Sequence, residues 1–263
     1  MRVHCLIIDM QNDFCTPQGT LFVAGADKDA VRLSKMMARV KDRIDDYHVT
    51  LDTHHFYDVA HPAFWVDSKG NHPNPFTLIS HEDVKNGVWK PTNPSENQRM
   101  LTYTETLKNN NRYLLCIWPV HCLIGSSGHN VVDPVAEQLL EWEKQIAMVD
   151  YVTKGSNYLT EHYSAVCADC PDATDASTQL NTKLIETLQS ADVVALAGEA
   201  KSHCCRFTIT DICNEFGEEN IKKMYLLEDA MSSVTGFEKQ GEDFVNEMVV
   251  RGMNITTTDK FLK

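Results

Sequence analysis

Residues 193–205 read VVALAGEAKSHCC. Apolar and small residues run unbroken from Val193 to Gly198, then the chain turns polar through Glu199 and Lys201 and reaches Cys204 and Cys205. An apolar run of this length without alternation reads as a strand buried on both faces, as in a parallel sheet. Helical spacing follows over Ser202–Phe216, which places Cys204 at a helix start. The same pattern recurs along the chain. Strands are predicted at Val3–Asp9, Val49–Asp52, Arg112–Trp118, Ile146–Thr153, Val193–Gly198, Lys223–Asp229 and Asn254–Thr257. Helices are predicted at Asp27–Ile44 (Val31, Met36, Val40 and Ile44 inward), Asp133–Lys144, Leu180–Ser190, Ser202–Phe216 and Phe237–Arg251. Alternating strands and helices with right-handed crossovers give an α/β fold: a doubly wound, mostly parallel sheet with helices on both faces.

The whole of 1–263 is read as one domain, interrupted by two polar excursions at about 66–110 and 166–179 that are too long for plain connections. With 24 Lys+Arg against 37 Asp+Glu the formal charge is −13, and no basic stripe is present to neutralise a phosphate backbone, so nucleic acid is excluded as the expected partner. No apolar run approaches the ~20 residues of a membrane span. The opening MRVHCLIIDM is cut by Asp9 and does not read as a secretory signal. Nine cysteines, an odd number partly inside strand-like runs, point to reduced thiols and a cytoplasmic protein. Homo-oligomerisation is compatible with all of this.

In an open parallel sheet the ligand lies beyond the carboxyl ends of the strands. Those ends are rich in titratable groups: Asp9, Asp52 with His54, His121 after Trp118, Lys154, and Cys204. The dipole at a helix start favours a thiolate at Cys204, with Asp9 to take its proton and Lys154 to balance charge. Asp52-x-His54, with His61 and His121, is a mixed carboxylate and imidazole set suited to Zn²⁺, Fe²⁺ or Mn²⁺, although D-x-H alone is a weak signal. Cys167-x-x-Cys170 has no second pair beside it and reads as loop thiols. No G-x-G-x-x-G or G-x-x-x-x-G-K-[ST] occurs, which argues against dinucleotide and phosphate-loop readings.

Taken in order, LIIDMQNDFC (6–15), LDTHH (51–55), WPVHC (118–122), TKG (153–155) and GEAKSHCCRFT (198–208) resemble the successive signatures of the isochorismatase-like cysteine hydrolases, and the metal-ligand set resembles the nicotinamidase/pyrazinamidase branch. The resemblance implies a six-stranded parallel sheet and an Asp9, Lys154, Cys204 triad. It implies a non-proline cis bond at Glu199–Ala200, with the N–H groups of Ala200 and Cys204 forming an oxyanion hole. One divalent metal, zinc in the first place, would sit on Asp52, His54 and His121, with His61 a fourth ligand in some members and replaced by water in others. Phe14, Trp118 and Tyr163 would line the ring pocket.

The implied activity is hydrolysis of nicotinamide to nicotinate and ammonia through a thioester, a step of NAD salvage. Two departures stand out: Thr53 where the family commonly has Trp, and Ser202 where many members have Asp. Two other readings remain open from sequence: the same triad acting on another small amide, ureido or carbamoyl substrate, and a non-catalytic metal-binding relative.

Overall fold

A computed structural model describes residues 1–110 and 112–263. Among them, β1 (Val3–Ile8), β2 (Asp46–Asp52), β3 (Asp150–Lys154), β4 (Val193–Gly198), β5 (Met224–Leu227) and β6 (Asn254–Thr256) form one six-stranded sheet. The order is β6-β5-β4-β1-β2-β3 and every pairing is parallel. The strand order reverses between β1 and β4, which is where a doubly wound sheet opens a ligand crevice. All six residues of β1 are buried. Each fully buried Leu or Ile there contributes about 1.5–3 kcal/mol of hydrophobic stabilisation.

Helices α1 (Ala26–Val40), α2 (Asn97–Asn109), α3 (Asp133–Glu143), α4 (Thr182–Gln189), α5 (Arg206–Phe216) and α6 (Glu238–Val250) accompany the sheet. In α1 the buried stripe is Leu33, Met36, Met37 and Val40, and Val31, expected inward, is exposed. The predicted continuation to Ile44 is a separate 3₁₀ turn over Lys41–Arg43. No helix among the described residues is long and apolar enough to cross a membrane.

The run Arg112–Trp118 is not a strand of the main sheet. Only Leu115–Cys116 is extended, and it pairs antiparallel with Leu78–Ile79. Its side chains alternate between two cores: Cys116 and Trp118 join the main one, Leu115 and Ile117 a smaller one with Phe64, Trp65, Met100 and Leu107. Burial on both faces is therefore real, but the second face belongs to the 66–110 excursion, which folds into a lobe carrying α2.

Candidate active site

Four strand ends deliver the site. Asp9 follows β1 with φ of 46°, Asp52 ends β2, Lys154 ends β3, and β4 runs through Gly198 into the segment holding Cys204. The predicted helix over Ser202–Phe216 begins as a π-turn, Lys201–Cys205, before regular α5. The Glu199–Ala200 peptide is cis. The N–H of Lys201 donates to Ser232 O, and those of His203 and Cys205 both donate to Ala200 O. Ala200 and Cys204 border the pocket.

Lys154 Nζ lies 2.8 Å from Asp9 Oδ2, 2.9 Å from Asp52 Oδ1 and 3.5 Å from Cys204 Sγ, and donates to His162 O at 3.0 Å. Thr50 donates to Asp9 Oδ1 at 2.5 Å. All three expected triad residues are thus together and buried. Burial pushes the Cys204 thiol well above its usual range; Lys154 opposes the shift, while Asp9 and Asp52 add to it. Desolvation therefore works against the thiolate that the helix start favours. Burial also raises the Asp9 carboxyl, against the pull of Lys154. Lys154 is held well above its usual range, since Asp52 and Asp9 overcome the burial that opposes its charge.

Beside the triad, ligand atoms of Asp52, His54 and His121 converge within 4.8 Å. His54 Nε2 and His121 Nε2 face Asp52 Oδ2 at 3.1 and 3.3 Å. The other nitrogens are engaged: His54 Nδ1 with Asp58 Oδ2 at 3.0 Å, His121 Nδ1 with Pro119 O at 2.8 Å. With the ring protons placed on those Nδ1 atoms, two imidazole lone pairs and a carboxylate oxygen converge, and such a donor set fits a divalent cation. His61 packs against both rings, but its Nε2 turns to His121 Nδ1 at 3.3 Å and lies outside the converging group. Gly155, at φ of 85°, lets β3 approach closely: a Cβ there would stand 3.1 Å from Asp52 Oδ1.

A pocket of about 380 Å³ of empty space joins the two centres. Phe14, Trp118 and Tyr163 line it together with Asp52, His121, Ala200 and Cys204. Trp118 Nε1 donates to Tyr163 Oη at 3.0 Å. The excursions 66–110 and 166–179 contribute none of the lining residues; the lobe reaches the site through Phe76, whose ring meets Trp118 edge-on.

Sequence reading missed four groups. Asp58 orients His54 and is fully buried. Glu161 lines the pocket, and burial pushes its carboxyl up to about 8, with Asp52 and Asp58 adding to the effect. His203 and Val234 complete the wall. The tripeptide Glu161-His162-Tyr163, two titratable residues beside a ring residue shortly after Lys154, was the available signal for Glu161.

No protein-family model matches the chain. Over 160 residues it is 26% identical to the nicotinamidase of Saccharomyces cerevisiae, a match spanning 61% of this chain and 60% of that protein's length. In structure it is similar to the yeast nicotinamidase (TM-score 0.66, 19% identity, 97% of this chain and 99% of that one). It is also similar to a pyrazinamidase of Pyrococcus horikoshii solved in complex with zinc (0.58, 18%, 98% and 99%). A third similar structure is an isochorismatase-like hydrolase from Alkaliphilus metalliredigens (0.57, 17%, 100% and 98%). The chain has the doubly wound α/β fold of these hydrolases.

Proposed function

We propose that this chain, an isochorismatase-like cysteine hydrolase of the nicotinamidase/pyrazinamidase branch, hydrolyses nicotinamide to nicotinate and ammonia, a step of NAD salvage. The observation that carries the proposal is Lys154 holding Asp9 and Cys204 together at the base of a pocket whose other wall is Asp52 and His121 and whose sides are aromatic.

The chemistry follows from the protonation states. Cys204 begins as a thiol and Asp9 as a carboxylate, the two bridged by Lys154 Nζ at 3.5 and 2.8 Å. Asp9 takes the proton as sulfur attacks the carboxamide carbon, and the N–H groups of Ala200 and Cys204 receive the oxyanion. Collapse breaks the C–N bond, and Asp9 returns the proton to the departing nitrogen. Asp9 then takes a proton from water, hydroxide adds to the thioester, and the acid leaves as Cys204 regains its proton. Lys154 stabilises whichever of Asp9 and Cys204 is anionic. Phe14, Trp118 and Tyr163 hold the ring. Asp52, His54 and His121 would hold one divalent metal, zinc first among them, and bound there it supplies a Lewis-acid anchor for a pyridine nitrogen.

Ammonia release from nicotinamide by purified protein, beside Cys204→Ala and with metal determined on the same samples, tests the reading. Turnover in the wild type and its loss in the variant, at equal metal content, is the expected result. A wild type that alkylates at Cys204 yet releases no ammonia from nicotinamide overturns the substrate.

A further inference from the structure

Residues 199–202, which lead into the nucleophile, are laced to residues 232–234, which follow the neighbouring strand β5. Lys201 N donates to Ser232 O at 2.8 Å, and Val234 N donates to Ser202 Oγ at 3.1 Å. A third link is made by an ionisable side chain: Ser232 N donates to Glu199 Oε2 at 3.1 Å. The backbone of Glu199 is fixed on its other side, its N–H donating to Ile8 O at 2.8 Å. Both laced segments reach the pocket, since Ala200 and Val234 line it.

Glu199 is fully buried and lies outside the Asp9, Lys154 and Cys204 triad. The serine whose amide it holds turns its hydroxyl to Asp29 Oδ2 on α1, so Ser232 joins two buried carboxyls. Asp29 has a counter-ion in Arg32 and is the member of the pair that holds a charge. Glu199 receives Ser232 N on Oε2, while its Oε1 is buried with no hydrogen-bond partner among the described residues. A carboxylate taken out of water calls for donors at both oxygens and a cation; a neutral carboxyl calls for a donor at its carbonyl oxygen alone and carries its proton on the other. The donors present match the neutral form, with Oε2 as the carbonyl oxygen. Burial pushes the Glu199 carboxyl well above its usual range, with Asp29 adding to the rise and Ser232 N and Lys201 opposing it. The nearby thiols of Cys15 and Cys205 are themselves pushed well up by burial and supply no cation.

We infer that Glu199 is a positioning residue: held as a neutral carboxyl, it ties Ser232 to the segment carrying the Ala200 and Cys204 N–H groups and so sets where the oxyanion is received. This deepens the amidohydrolase reading and rests on it. The role asks for the length of a glutamate and the absence of its charge. A carboxylate here would put a second buried negative charge beside Asp29, with Arg32 as counter-ion to one of them. A shorter acid would leave Ser232 N without its acceptor.

Two substitutions separate length from charge. Glu199→Gln keeps a carbonyl oxygen for Ser232 N and an N–H in place of the hydroxyl, and should keep kcat for ammonia release from nicotinamide within about twofold of the wild type. Glu199→Asp keeps the acid but falls one methylene short. It should lower kcat at least about tenfold with KM within about twofold, because displaced N–H donors weaken the transition state and not the bound substrate. A role as a charge predicts the opposite ranking of the two variants, and a role in packing alone predicts an unchanged kcat in both; either result overturns the inference, as does a glutamine variant that fails to fold. Difference infrared spectra of the wild type against Glu199→Gln at neutral pH need no turnover and no aspartate variant. Loss of a protonated-carboxyl C=O band is expected, and loss of carboxylate bands alone overturns the inference. If the wild type releases no ammonia from nicotinamide, the substrate reading falls, and the infrared comparison still decides the state of Glu199.

Discussion

The ammonium of Lys154 lies 2.9 Å from Asp52 Oδ1, while the other oxygen of the same carboxylate faces His54 and His121 at 3.1 and 3.3 Å. One aspartate therefore serves two centres. Because Lys154 also contacts Asp9 at 2.8 Å and Cys204 at 3.5 Å, the charge state of the triad and that of the imidazole cluster are coupled through a single buried cation.

Removing that cation has a defined outcome. Lys154 is the group that opposes the burial-driven rise of the Cys204 thiol. In Lys154→Met the thiol should move further up, and the pH at which Cys204 alkylates with iodoacetamide should move up with it. Asp9 and Asp52 would then face each other without the cation that bridges them, a loss of about 3–5 kcal/mol in urea denaturation. Turnover should fall at least about a hundredfold. An alkylation profile superimposable on the wild type would remove Lys154 from the triad.

The pH dependence of kcat/KM follows from the same groups. The proposed mechanism needs Asp9 ionised and Cys204 protonated. Burial raises both, the second well above its usual range. Activity is lost as pH falls through the raised Asp9 value, so the acid limb should lie above the usual carboxylate range of about 4. The alkaline limb, loss of the thiol proton, should lie above the usual thiol value of about 8.5. An alkaline limb near 7 would show that a preformed thiolate pairs with Lys154 instead.

Stability should slope the other way from a protein rich in salt-bridged acids. Burial pushes Glu161 up to about 8 and Asp169 up to about 7. Both hold protons in the fold that the unfolded chain has released above about 4. Their contribution is complete below that value and declines as pH rises toward 7 and 8. Glu161→Gln removes one of the two groups, so the fall in Tm between pH 5 and pH 8 should be shallower in the variant. An identical slope would mean that Glu161 is ionised in the fold.

Asp58 is a quieter test of the imidazole cluster. It accepts from His54 Nδ1 at 3.0 Å and so fixes the ring with Nε2 toward Asp52. Asp58→Asn should weaken zinc binding, measured by chelator competition, by about 10–100-fold, as loss of a carboxylate behind a ligating histidine does. Unchanged affinity would exclude His54 as a ligand.

How much of this was legible in sequence depends on what kind of contact was involved. Asp9, Asp52, Lys154 and Cys204 were readable because each ends or follows an apolar run, and a parallel sheet sends those ends to one edge. Phe14, Trp118 and Tyr163 came with motif resemblance and do meet in the pocket. Arg112–Trp118 misled because an unbroken apolar run reports burial on two faces without saying which elements cover them, and here one face is a lobe built from the preceding excursion. Asp58 and Glu161 were invisible because their burial is set by neighbours distant in sequence. His203 was quoted within a motif, yet the burial of its Nε2 without a hydrogen-bond partner among the described residues emerges only from the packing around it.

The seam between β1 and β4 offers the sharpest structural prediction. Gly198 has φ of 140°, and a Cβ placed there would lie 2.1 Å from Ile8 O and 2.6 Å from Ile8 N, both backbone atoms of the neighbouring strand. The same Ile8 carbonyl accepts from Glu199 N at 2.8 Å, so the contact cannot open without breaking the pairing that leads into the Cys204 segment. Gly198→Ala combines a disfavoured backbone region with a backbone clash, and should cost more than about 3 kcal/mol in urea denaturation. Gly155→Ala shares the disfavoured backbone region, at φ of 85°, but meets no such backbone clash. Its Cβ would stand 3.1 Å from Asp52 Oδ1 and 3.4 Å from His54 Cε1, tight contacts with side chains that can give slightly. It should disturb zinc affinity and turnover more than it lowers the unfolding midpoint. A Gly198→Ala protein as stable as the wild type would mean that β1 and β4 do not approach this closely, and that Asp9 and Cys204 are carried to the pocket by a looser seam than the one described.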